Sequence, residues 1–166
     1  MKDYENSLRY TKEGTKFHGV MERLKELTKQ AEEAWNNPYT DKLIEDLFYY
    51  VHGTKAAFEE GNNEDARKLW REAEVCYQER YRGKESIENN YLSVFSARTK
   101  VIELQADIGK KFQFPDFQID VEAKLQEVES ECRARRTQRL ERYDEAIRLF
   151  EQTQAEEDFP YRFGEE

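Results

Sequence analysis

The chain has 166 residues, 38% of them charged and 13% aromatic, with only seven glycines and three prolines. So many aromatics exclude a disordered polyelectrolyte, and so few turn residues exclude a sandwich or barrel. The net charge of −9 is built from both signs interleaved along the chain, which disfavours bulk binding to nucleic acid or anionic membrane and lacks the acidic blocks of a polyanionic mimic.

The first helix is predicted from Tyr4 to Trp35. Phe17, Val20, Leu24, Leu27, Ala31 and Ala34 step by three and four, a heptad seam held for almost three repeats. Asn36-Asn37-Pro38 ends it, and Thr40 is the expected cap of a second helix, with Asp41 near its positive end. That helix carries Leu43, Ile44, Leu47, Phe48, Tyr50, Val51, Ala57 and Phe58, an apolar face wide enough to touch more than one neighbour. Gly61 then stops it and Asn62 or Asn63 starts the next. The stretch Ala56-Ala57-Phe58-Glu59-Glu60-Gly61, with Ala66 and Ala73, is similar to the turn of a tetratricopeptide helical hairpin. No period of about 34 residues repeats it.

In the third helix Ala66, Leu69, Ala73, Cys76, Ile87, Val94, Ala97, Val101, Leu104 and Ile108 share one heptad frame, interrupted by Arg80, Gly83 and Asn90. Because the frame is unchanged across Gly83, one continuous helix of about 45 residues, roughly 65 Å, is expected. Gly109-Lys110-Lys111 closes it. A fourth helix from Gln118 to Glu156 turns Val121, Leu125, Val128, Cys132, Leu140, Tyr143, Ile147 and Phe150 inward, with a stutter between Cys132 and Tyr143.

These elements predict an all-α fold: a four-helix antiparallel bundle with two long helices projecting as a coiled-coil hairpin over about residues 90–132. Helix one belongs to the bundle base in this reading. Residues 1–157 form one domain and 158–166 a non-helical, aromatic and acidic tail. Centring the hairpin turn near residue 113 sets Tyr143 opposite Gly83, Arg136 opposite Asn90 and Cys132 near Val94. A large ring then covers the missing side chain of Gly83.

Three groups are candidate sites. At the hairpin tip, Lys110, Lys111, Phe112, Phe114 and Phe117 either dock in a partner's groove or fold back as an apolar plug. Arg133, Arg135, Arg136, Arg139 and Arg142 either contact phosphate or RNA, or form a salt-bridged face with Glu127, Glu129, Glu131, Glu141, Asp144 and Glu145; the acidic neighbours favour the second. Arg80, Gly83, Asn90 and Arg136 mark a polar seam that sets register. His18 and His52 belong to no ligand pattern, so no metal or cofactor is expected. Cys76 and Cys132 read as buried thiols of a reducing compartment.

The expected function is non-catalytic: a cytoplasmic helical interaction, adaptor or scaffolding protein acting on a protein partner. Trp70, Tyr77, Tyr81, Tyr91 and Phe95 flank the seam of helix three in excess of what one hairpin partner covers, which predicts a homo-oligomer. A nucleic-acid-binding module using the arginine face is the alternative, and a helical-bundle enzyme or metal carrier the further one. No membrane association is expected.

Overall fold

A computed structural model describes residues 12–156. The N-terminal turns expected from Tyr4, and the tail 158–166, lie outside the described residues. The described chain is all-α, with helices α1 (Lys12–Trp35), α2 (Pro38–Glu59), α3 (Asn63–Gln78), α4 (Arg80–Lys111) and α5 (Val121–Gln154), and a short 3-10 turn at Pro115–Phe117. No helix among these residues is long and apolar enough to cross a membrane.

Local signals account for most boundaries. Asn37, not Thr40, caps α2: its side chain accepts the Tyr39 N–H at 3.0 Å while Pro38 occupies the first turn, where no N–H is needed. Thr40 is instead buried, its hydroxyl without a hydrogen-bond partner. Asn62 caps α3 through the Asp65 N–H, and Gly61 takes the left-handed conformation (φ +80°) that ends α2. The long third helix runs unbroken through Gly83, as its frame predicts, but is interrupted four residues earlier. Glu79 separates α3 from α4, its N–H shared between the Val75 and Cys76 carbonyls. Arg80 marks this point, donating to the Tyr77 carbonyl at 3.0 Å with its guanidinium over the Tyr77 and Tyr81 rings. A residue expected to set register in the seam serves as a clamp on the interruption.

The chain forms two compact units, each discontinuous in sequence. In the first, α1 lies along the hairpin made by the second half of α4 and the start of α5. Phe17 meets Phe112 and Phe114 at ring separations of 5.2 and 5.3 Å, and Leu24, Ile108 and Phe114 complete that cluster. Farther along, Val94, Ile102, Val128 and Cys132 form a second cluster, with Ala34 and Trp35 packed against it. Cys132 thus sits beside Val94 as predicted. The expectation that helix one belongs with helix two is corrected: the expected two-helix hairpin is covered by a third helix, α1, antiparallel to α4. The reason is area. A seam running from Phe17 to Ala34 requires a long apolar partner, and α4 offers Val101, Leu104 and Ile108 to it.

The second unit packs α2, α3, the beginning of α4 and the end of α5 around Leu47, Val51, Trp70, Ile87, Tyr143 and Phe150. Here the predicted pairing of Gly83 with Tyr143 is observed. A Cβ at Gly83 would overlap the Tyr143 hydroxyl and Cζ and lie 3.0 Å from Cε2. The ring is 2% exposed and has no room to retreat. Gly83→Ala is therefore expected to destabilise the protein by about 2 kcal/mol, overpacking outweighing the gain in helix propensity of about 1 kcal/mol. Denaturant unfolding measures this, and a neutral or stabilised variant would show that the ring does not occupy the glycine's space.

Candidate partner-binding groove

The sequence places large side chains at one end of the first unit and small ones in its middle. Phe17, Phe112 and Phe114 fill the end near the connection between α4 and α5. Seven and ten residues past Leu24, the α1 seam carries only Ala31 and a half-buried Ala34, opposite Val101, Ile102 and Val128. The α1 alanines do not reach far enough toward the β-branched side chains of α4 and α5 to fill the volume between them. The result is a groove of about 500 Å³ between α1, α4 and α5, floored by Ala31, Val101, Ile102 and Val128.

Its rim is charged. Arg98 Nη2 lies 2.8 Å from a Glu131 carboxylate oxygen, and its guanidinium sits 5.4 Å from the centre of the Trp35 ring. Two partners hold the arginine while its stem covers apolar surface. Lys124 approaches Glu127 more loosely, at 3.9 Å, and both are more than half exposed. On the α1 side the rim is Glu32, exposed, in a last turn with no basic residue. Below it, buried Asn90 donates to the Ala34 carbonyl at 3.1 Å, satisfying one of the orphaned acceptors at the end of α1. Asn90, read from sequence as a polar interruption, ties α4 to α1.

The tip residues fold inward, as a plug. Phe114 is fully buried, Phe112 and Phe117 are half-buried, and Phe114 and Phe117 meet edge to face at 5.1 Å. An exposed aromatic docking tip is thereby removed. Lys110 and Lys111 remain exposed in the last turn of α4, at the negative end of its dipole.

Arg136, Arg139 and Arg142 form ion pairs with partners other than those sequence spacing suggested, on other helices. Arg133 pairs along its own helix, with Glu129. Arg136 reaches Glu88 on α4 at 3.3 Å. Arg139, 8% exposed, grips Asp41 with Nε at 2.9 Å and Nη2 at 3.3 Å. Arg142 meets Glu45 at 3.2 Å and lies over the Phe48 ring at 4.4 Å. Arg135 is half-buried beside them. The fork on Asp41 is the strongest of these, being bidentate and partly desolvated. Asp41 both sits in the positive first turn of α2 and anchors α5.

His18 and His52 are exposed, the latter stacked on Phe48 at 6.1 Å. Among the described residues no group of three or more histidine, cysteine or acidic side chains is placed to hold a metal ion. Neither cysteine is in a disulfide. Burial, with Asp46 and Glu72 nearby, pushes the Cys76 thiol up to about 11, so it is protonated at neutral pH. Burial likewise pushes the Tyr143 phenol up to about 12.

Ala31, Val101 and Val128 are legible in the sequence as seam residues, but the space they leave between them is not. The legible signal was the run of alanines ending the α1 seam. Geometry and lining define an α-helical protein with an open apolar groove. Comparison of the chain with protein-family models, with curated proteins and with solved structures returns no match.

Proposed function

We propose that this is a non-catalytic helical interaction protein, an adaptor or scaffold, whose binding surface is the groove of the first unit. The observation that supports it is an apolar floor left open between three helices and bordered by charged side chains, the usual anatomy of a site that takes a protein segment. Two cysteines outside any disulfide fit the cytoplasm. Nucleic-acid binding ranks lower, because Arg133, Arg136, Arg139 and Arg142 already face carboxylates that a phosphate would have to displace.

A photo-crosslinking amino acid at exposed Lys124, compared with one at exposed Glu59 in the other unit, tests the reading in native extract. A discrete polypeptide adduct formed only from position 124 is the expected result. Adducts formed equally from both positions, or none, would overturn it.

Self-association is the second reading. Trp70 and Tyr77 stack on Phe150, and Tyr91 and Phe95 stack on each other within the first unit, so most of the aromatic surplus is used inside the chain. Tyr81, the remaining ring beside the seam of helix three, is exposed at 73%. Sedimentation velocity yielding an unchanging monomer mass across micromolar concentrations would remove this reading.

A further inference from the structure

The groove's charge selects among possible occupants. Its rim holds three carboxylates, Glu32, Glu127 and Glu131, against two cations, Arg98 and Lys124. Arg98 is committed to Glu131 at 2.8 Å and to the Trp35 face, and Lys124 holds Glu127 only at 3.9 Å. Glu32 stands at the negative end of the α1 dipole, beside exposed Glu33, in a turn with no basic residue. Acidic groups therefore flank the apolar floor from both the α1 and the α5 side.

Dimensions narrow the class further. The α1 wall runs from Thr28 to Asn36 and the α5 wall from Lys124 to Glu131, each about 10–12 Å, or two helical turns. A helix laid in this space presents two or three apolar side chains at i, i+3 or i+4, and i+7.

We infer that the groove takes an amphipathic helix of a basic partner, its leucine-like stripe on Val101, Ile102 and Val128 and its lysines or arginines flanking that stripe toward Glu32 and Glu127. This rests on the groove being the binding surface, as proposed above. A second copy of this chain is the poorer occupant, since each carries a net charge of −9.

The test uses the full chain and a fluorescein-labelled peptide of about 18 residues, long enough to hold a helix, with leucines at i, i+3, i+4 and i+7 and lysine flanks. A matched peptide carries glutamate flanks. Anisotropy is expected to show the lysine peptide binding about tenfold tighter than its acidic twin, and E32Q/E127Q weakening it about tenfold. The control pair E59Q/E60Q, with the same charge change in the other unit, should leave it unaltered. Val101→Phe, checked for retained helicity, fills the floor and should abolish binding.

Equal weakening by both glutamine pairs would overturn the assignment, since attraction would then be general to an acidic protein. Both peptides binding alike, and both lost with Val101→Phe, would sink the basic helix while leaving the groove as the binding surface. Binding by neither peptide, together with no adduct at position 124, would remove the groove reading itself.

Discussion

Phe150→Ala is expected to cost about 4–5 kcal/mol, the largest loss from any single substitution considered. Phe150 is 1% exposed and lies between two rings, Trp70 at 4.5 Å with an interplanar angle of 3° and Tyr77 at 4.2 Å and 15°. Truncation removes the transfer free energy of a buried aromatic ring and both stacking contacts. It also opens a cavity that cannot collapse, because Trp70 belongs to α3, Phe150 to α5, and both are held by the wider core of Leu47, Val51 and Ile87. Phe150→Leu keeps most of the volume and should lose about half as much. Denaturant unfolding followed by far-UV dichroism reads the loss, and the near-UV tryptophan signal should weaken in parallel. An alanine variant within about 1 kcal/mol of the parent would mean that Phe150 is not the centre of this core.

Gly109→Ala follows, at about 3 kcal/mol, for a different reason. Gly109 lies in the last turns of α4, directly under the backbone of Phe117. A Cβ there would overlap the Phe117 carbonyl oxygen and lie 2.7 Å from its carbon. Backbone has no rotamer to change, so the connection itself must lift. That connection is seated by Gln118, whose amide donates to the Gly109 carbonyl at 2.7 Å and the Phe114 carbonyl at 3.1 Å, and it turns at Gln113, which has a φ of 50°. Lifting it unseats Phe114 and Phe117 from Phe17 and Ile108. Gly19→Ala is the matched control. It sits in α1 with nothing within 4 Å of the added carbon, and should stabilise the protein by about 0.5–1 kcal/mol through helix propensity alone. The two alanines are thus expected to differ in sign. Equal effects would show that the turn does not rest on Gly109.

Why some features were legible and others not follows from their range. The Asn37-Pro38 and Gly61-Asn62 boundaries are made by side chains one to three residues from the backbone groups they serve, so they can be read locally. Thr40 misled because threonine is also a favoured cap in isolation, and nothing local announces that it is buried. The Gly83–Tyr143 pair was recoverable because a hairpin with a known turn fixes register along both arms. Glu79 carries no breaking signal of its own; the interruption there coincides with Arg80 clamping Tyr77 and Tyr81. The arginine face is ion-paired, yet Asp41, Glu45 and Glu88 stand 98, 97 and 48 residues from their partners. Sequence spacing ranks intrahelical neighbours first and has no means of weighing such distant ones.

By itself the amino-acid order determined that this chain is helical, where most of its helices start and stop, and which stripe of each turns inward, because those properties depend on periodicity and capping within a few residues. The tertiary structure alone decided that α1 joins the α4–α5 hairpin rather than α2, that the phenylalanines of the connection fold inward, and that the α1 alanines leave a groove where they face α4 and α5. Each of those outcomes depends on how much volume and apolar area distant faces offer one another, a quantity that no single stretch of sequence contains.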